Sequence, residues 1–298
     1  MKRVLITGAS GFIATKLFDA LIADGFTIHT LSRKLIADKR VRSFLWDIDL
    51  MQIDLNAFEH VDVIIHLAGA SIAEKSWSNE RKKELIDSRV QSTLLIKKAL
   101  EQNKQVLKCY IGASASGYYG NSSESLVNEE SENGSNFLAE VCRLWEEAHQ
   151  TLIPYFQNHI ILRIPIVLDS KEGALPKMLQ TLPVALNYFG SGKQGMPWVH
   201  IDDLCSIFIF AANQHMKSGI YNANHPDLVS NKQFVETLAA LKKPLLPLSA
   251  VPAFMLKLLL GESAAMLLDG QYCSSEKLLK TGFRFSHNSL KEALLHCK

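Results

Sequence analysis

The sequence predicts an α/β fold: a doubly wound parallel Rossmann sheet with a smaller C-terminal, mostly helical domain. Three observations carry that reading. In the first half, short apolar runs alternate with stretches of helical spacing, the pattern of βαβ units. A glycine turn, Thr7-Gly8-Ala9-Ser10-Gly11, stands between the first run and the first helical stretch. Runs such as Val61–Leu67 are apolar almost without a break, which suits strands covered on both faces.

Arg3–Thr7 is predicted as the first strand and Phe12–Ala23 as a helix with Ile13, Leu17, Ala20 and Leu21 on one face. Asp24-Gly25 ends that helix. Thr27–Leu31, Val41–Trp46 and Val61–Leu67 read as the next strands. A long helix over Asn79–Gln102 offers Leu85, Val90, Leu94, Leu95 and Ala99 as its buried stripe. Val106–Ile111 is a fifth strand, Phe137–Leu152 an amphipathic helix and Ile160–Leu168 a further strand. Right-handed crossovers then wind the sheet on both sides. All nine prolines lie at or beyond Pro154. Helical spacing returns at Leu204–Asn213, Lys232–Leu241, Ala253–Leu260, Glu276–Lys280 and Leu290–His296. The expected division is 1–168 plus 199–223 for the domain built on the sheet, and 169–198 plus 224–298 for the second domain.

The 298 residues are 47% hydrophobic and 21% charged, with a net charge of +2. A chain of this length buries about three quarters of its unfolded surface and needs no staples. The balanced charge, with no basic stripe, speaks against a nucleic-acid partner. Arg81-Lys82-Lys83 reads as a solvated helix face. Five scattered cysteines, Cys109, Cys142, Cys205, Cys273 and Cys297, form no C-x-x-C pair. That suits reduced thiols in the cytoplasm and no metal site. The longest apolar runs fall short of the roughly 18 residues a membrane span needs. The N-terminus has neither the apolar stretch nor the cleavage site of a signal peptide. The expected partner is a small-molecule substrate, with monomer or homodimer both open.

The glycine turn points to a dinucleotide. Gly8 permits the sharp turn, Gly11 lets backbone approach a diphosphate, and Ala9, Ser10, Phe12 and Ile13 complete the helix N-terminus that would hold it. NAD sites usually place an acid about 20 residues beyond the glycines. Here the second strand ends Leu31-Ser32-Arg33-Lys34, and a serine with a guanidinium suits a 2′-phosphate. NADP(H) is therefore expected over NAD(H). Asp47 is placed beside the adenine, and Leu67, Ala68 and Gly69 where the cofactor crosses the sheet.

The sequence resembles the extended short-chain dehydrogenase/reductases, and more closely their atypical epimerase/dehydratase branch. TGASGFIA at 7–14, LAGASIAEKSW at 67–77, SASGYYG at 114–120, FLAEVCRLWE at 137–146, GSGKQ at 190–194, WVHIDDL at 198–204 and LLLGE at 258–262 carry the resemblance. It implies a Rossmann domain, a C-terminal substrate domain and a nicotinamide cofactor. The chain departs from the branch at Ala14 and Pro165, where glycine is usual, and at Ser76, where arginine is usual.

Most relatives in the wider superfamily use a Tyr and a Lys four residues apart on one helix, with the cation favouring the phenolate. The matching positions here read Phe137 and Val141, and neither moves a proton. Ser114 and Ser116 match the superfamily's Ser/Thr region, and Tyr118 or Tyr119 is the candidate acid/base, with loop packing as the alternative. Cys142 reads as packing and Glu146 as a polar contact. Arg163 ends a strand and is counted with the cofactor residues, against an alternative of a packing salt bridge. Asp202 precedes an apolar helical run and is predicted as its N-cap. Gly190–Gln194 is predicted as a loop able to close over substrate. Two functions fit: an NADP(H)-dependent enzyme on a small hydroxyl- or carbonyl-bearing substrate such as a nucleotide sugar, or a catalytically weak NADP(H)-binding redox sensor or partner-binding protein.

Overall fold

A computed structural model describes residues 2–180 and 184–297. In chain order the strands and helices are β1 (Arg3–Thr7), α1 (Phe12–Ala23), β2 (Thr27–Ser32), β3 (Val41–Asp47), β4 (Gln52–Ile53), β5 (Val63–His66), α2 (Asn79–Asn103), β6 (Leu107–Ala115), β7 (Ser122–Val127), α3 (Phe137–Gln150), β8 (Phe156–Ile164) and β9 (Ile166–Leu168). There follow α4 (Ala174–Met178), β10 (Asn187–Phe189), β11 (Trp198–His200), α5 (Ile201–Ala212), β12 (Gly219–Asn222), α6 (Asn231–Lys242) and β13 (Ser249–Val251). The chain ends with α7 (Ala253–Leu260), α8 (Ala265–Leu268), β14 (Gln271–Cys273), α9 (Glu276–Lys280) and α10 (Leu290–His296).

Backbone contacts divide the chain into two compact units. The first comprises Met1–Ser114, Val141–Leu162 and Cys205–Tyr221, and the second Ala115–Glu140, Arg163–Leu204 and Asn222–Lys298. These boundaries differ from the expected functional division in assigning 115–140, 163–168, 199–204 and 222–223 to the second unit.

The first unit is built on an eight-stranded sheet of order β12-β8-β6-β5-β1-β2-β3-β4. Its centre is parallel, with Val4 opposite Ile28 on one side and Val63 on the other. The β5–β6 and β2–β3 pairs are also parallel, and the short β4 closes the edge antiparallel to β3. Val4, Leu5 and Ile6 are fully buried, as two-sided strands require. Leu5, Phe44, Trp46, Ile64, Leu95 and Tyr110 share one core. Each such side chain contributes about 1.5–3 kcal/mol by burial. Helix α1 closes with a Schellman motif: Phe26 N–H donates to the Leu21 carbonyl and Gly25, at φ +84°, to that of Ile22.

The buried face of α2 differs from the predicted stripe. Leu85, Leu95 and Ala99 point inward as expected, but Val90 and Leu94 are only half-buried. Arg89, Ser92 and Thr93 take the inward face. The physical reason is His66 at the end of β5, which must be hydrogen-bonded once buried.

The second unit holds more strand than a mostly helical reading supplies. β9 pairs with β11, β7 with β14 and β10 with β13, all parallel. Its core gathers Leu168, Leu175, Trp198, Phe234, Val235 and Leu290. The predicted cap of α5 is corrected: the helix begins at Ile201, so Asp202 lies inside its first turn. His200 takes the capping role, its Nδ1 accepting the Asp202 N–H at 3.2 Å. Burial lowers the His200 pKa, which keeps that nitrogen an acceptor.

Candidate active site at the carboxyl edge of the first unit

The glycine turn follows from close packing. Gly8 sits at φ +68°, and a Cβ there would lie 2.8 Å from the Leu67 carbonyl carbon and 2.9 Å from the Ala68 nitrogen. The β1 turn is thus pressed on the end of β5, where only glycine fits. Gly11 N–H returns to the Gly8 carbonyl at 2.9 Å, and α1 starts at the next residue. No side chain caps that start, and its first turn carries no acid. Its N–H groups and positive dipole end therefore stay available to an anion.

The neighbouring strand ends carry the other predicted cofactor residues. Ser32 is buried, and its hydroxyl donates to the Lys34 carbonyl, shaping the turn after β2. Arg33 is exposed. Asp47, also exposed, accepts the Leu50 N–H at 2.9 Å and so closes the turn after β3. Leu67 and Ala68 floor the glycine turn. Gly69 packs on α2: a Cβ there would lie 3.0 Å from Arg89 Cζ.

Behind this edge lies a polar network that sequence reasoning missed. Thr7 Oγ1 is 2.6 Å from His66 Nδ1, while Thr93 and Ser92 hydroxyls lie 3.1 and 3.3 Å from its Nε2. Both of those hydroxyls already donate to the Arg89 carbonyl. The proton on Nε2 therefore belongs to His66, and Thr7 donates to Nδ1. Burial pushes the His66 pKa down to about 3, so it stays neutral. On α3, His149 donates Nε2–H to the Ala113 carbonyl at 3.0 Å and accepts from the Tyr110 hydroxyl at 2.7 Å.

Arg89 is the second missed residue. It is 7% exposed, lies with Cζ 5.0 Å from the Trp145 ring, and makes one hydrogen bond, to the Leu85 carbonyl. A guanidinium has five N–H donors, so four remain. Burial pushes its pKa down to about 10, and it stays charged at neutral pH. The Trp145 indole N–H is buried without an acceptor. The signal was periodicity: Arg81, Leu85, Arg89, Ser92, Thr93 and Ile96 fall on one helical face.

Ser114 and Glu146, each 3% exposed, are brought together: the Ser114 hydroxyl donates to Glu146 Oε1 at 2.6 Å. Ser116, Tyr118 and Arg163 belong to the second unit. Ser116 is 9% exposed and opens a single 3₁₀ turn, Ser116–Tyr119. Arg163 is 2% exposed, lies 3.5 Å from the Tyr118 ring centre and donates to Tyr119 Oη at 2.9 Å. Tyr119 Oη donates in turn to Asn222, and burial pushes its pKa up, which keeps it a neutral phenol. The 190–194 loop is pinned at its end: buried Gln194 donates to the Phe189 and Leu267 carbonyls. Among the described residues no cluster of metal-ligating side chains forms.

Comparison with known proteins fits this geometry. A family model described as the NAD dependent epimerase/dehydratase family matches residues 4–141, and one described as a domain of unknown function (DUF1731) matches 251–297. An epimerase family protein of Mycobacterium leprae is 33% identical over 98% of this chain and 94% of its own length. The chain belongs to the NAD-dependent epimerase/dehydratase family. The crystal structure of human epimerase family protein SDR39U1 with NADPH aligns with a TM-score of 0.86 at 28% identity, covering 99% of this chain and 98% of that one. A nucleoside-diphosphate sugar epimerase from Corynebacterium glutamicum aligns at 0.79 with 27% identity, over 99% of this chain and 57% of that one. Among the described residues no helix is long and apolar enough to cross a membrane.

Proposed function

We propose that this family member binds NADP(H) along the carboxyl edge of the first unit and exchanges hydride with a small hydroxyl- or carbonyl-bearing substrate, with nucleotide sugars as the first class to try. The observation that carries the reading is Gly8, held against Leu67 and Ala68 in front of an uncapped helix start. The human relative's structure with NADPH supports the cofactor, and the Corynebacterium relative's name supports the substrate class.

Gly8, Ala9, Ser10, Gly11, Phe12 and Ile13 hold the diphosphate through backbone N–H groups. Ser32 shapes the turn that presents Arg33 to a 2′-phosphate, and Asp47 borders the adenine. Leu67, Ala68 and Gly69 give the small floor over which the cofactor crosses. Arg89 supplies buried cationic donors beneath Gly69. Arg163 contributes by holding Tyr118 and Tyr119 in place. When bound, the nicotinamide supplies the hydride acceptor or donor. Ser114 meets the substrate oxygen, with Ser116 and Tyr118 as the polar groups that follow it in the chain. Residues 1–168 plus 199–223 serve the cofactor, and 169–198 plus 224–298 the substrate. Five buried cysteines outside any disulfide suit a reducing cytoplasm, and the protein works as a monomer or homodimer.

Fluorescence titration tests the cofactor: NADPH should bind at least tenfold more tightly than NADH, and equal binding would refute the preference. Turnover is then sought with NADP⁺ and UDP-glucose, UDP-galactose or UDP-N-acetylglucosamine, or with NADPH and simple aldehydes and ketones. Ser114→Ala should abolish turnover while NADPH affinity stays within threefold. Phe137 and Val141, in place of a proton-moving pair, favour a second reading as a redox sensor or partner-binding protein. Tight NADPH binding with no turnover across the panel would select it.

A further inference from the structure

We infer that Glu146, acting through Ser114, is the proton acceptor that stands in for the absent Tyr/Lys pair; this rests on the hydride-transfer reading above. The direction of one hydrogen bond carries the argument. Ser114 has a single hydroxyl proton, and it points to Glu146 Oε1 at 2.6 Å. Its oxygen can then only accept from a ligand. A substrate hydroxyl arriving at the end of β6 donates to Ser114 Oγ, and the chain of hydrogen bonds runs outward to the carboxylate. Both side chains are 3% exposed, so bulk water does not compete for that proton.

The surroundings fix the pair in place. One helical turn after Glu146's neighbour Trp145, His149 donates Nε2–H to the Ala113 carbonyl at 3.0 Å. That bond sets the register of α3 against the end of β6, one residue before Ser114. Trp145 carries a buried indole N–H with no acceptor, a donor left over by the protein's own packing. The other two positions where a proton-moving pair would sit, Phe137 and Val141, carry hydrocarbon only.

The substrate C–H bond breaks and its electron pair leaves as hydride to oxidised nicotinamide. The O–H proton passes to Ser114 Oγ as the serine's own proton moves to Glu146 Oε1, and the substrate C–O becomes C=O. Reduction runs the same path backwards, with Glu146 returning the proton. The products are one carbonyl, one reduced cofactor and one proton, held by Glu146.

Glu146→Gln tests this, since the amide still accepts the serine hydrogen bond but takes no proton. Three readings are made on parent and variant: melting temperature, NADPH affinity by fluorescence, and turnover of UDP-glucose or whichever probe of the panel the parent accepts. The relay predicts a melting temperature equal to the parent's or higher, an NADPH Kd within threefold, and turnover at least 100-fold lower. In Glu146→Ala, added formate should restore turnover at least tenfold, an effect a structural carboxylate would not give. A parent solvent deuterium isotope effect with two protons in flight should shrink to one or none in Glu146→Gln. Turnover of Glu146→Gln within tenfold of the parent overturns the relay alone. A parent that binds NADPH yet turns over nothing overturns the hydride-transfer reading, and the relay falls with it.

Discussion

Arg89 and Arg163 are both nearly sealed from solvent, at 7% and 2% exposed, yet they use their guanidinium groups differently. Arg163 is absorbed by its own unit. It lies on Tyr118, donates to Tyr119 Oη and reaches the Glu129 carbonyl. Among the described residues Arg89 makes one hydrogen bond, faces Trp145, and has no carboxylate in reach. A buried cation with donors in reserve is costly until an anion arrives. On the proposed reading, the contrast separates an arginine that holds a fold together from one that meets the cofactor. Sequence position pointed the other way, since Arg163 ends a strand and Arg89 sits in mid-helix.

Replacing Arg163 tests the first half of that contrast and should have the largest effect. Arg163→Leu should lose about 3 kcal/mol of stability, a drop of roughly 6 °C in melting temperature, with NADPH affinity within threefold once folded. A matching loss of affinity would put Arg163 on the cofactor and break the contrast. Arg89→Leu should do the reverse. Losing one charge-assisted contact weakens NADPH binding about 10- to 100-fold, while the cofactor-free melting temperature holds or rises because an uncompensated buried cation is gone. A large fall in that temperature would make Arg89 structural.

Acid probes the neighbourhood of Arg89, which already refuses further positive charge. His66 is held down to about 3 by burial, and His149 also lies well below its usual value. The unfolded chain takes up these protons below about pH 6.5 and the fold does not. Stability is thus complete above about 6.5 and is lost as the pH falls toward 3. His66 alone should cost about 2 kcal/mol between pH 6.5 and 5. Calorimetry showing a melting temperature at pH 5 equal to that at pH 7.5 would contradict this. The smallest effect belongs to the exposed Arg33. Arg33→Ala should weaken NADPH about fivefold and leave NADH unchanged, since an exposed charge–phosphate contact contributes about 1 kcal/mol. Equal weakening of both cofactors would remove Arg33 from the 2′-phosphate.

Much of this molecule was legible before its structure. Helix α1 occupies Phe12–Ala23 and α7 Ala253–Leu260, the spans their spacing predicts. The glycine turn was readable because its glycines answer to local backbone geometry. The buried polar residues were harder to see. His66 hides in an apolar run, and Arg89, Ser92 and Thr93 were passed over because a stripe was sought among hydrocarbons. The small strands β7, β9 and β14 are three to six residues long, and their pairing partners lie far away in the chain, so no local pattern marks them.

The alternation of strands and helices, the turn at Gly8 and the loss of the Tyr/Lys pair can be read along the chain, because each is written in residues close together. Folding alone brings Ser114 to Glu146, presses Leu67 against the glycine at position 8, and leaves Arg89 rather than Arg163 with donors in reserve. Those outcomes depend on which faces meet across the sheet and on how many hydrogen-bond partners each buried group finds there. Spacing along the chain does not carry that count.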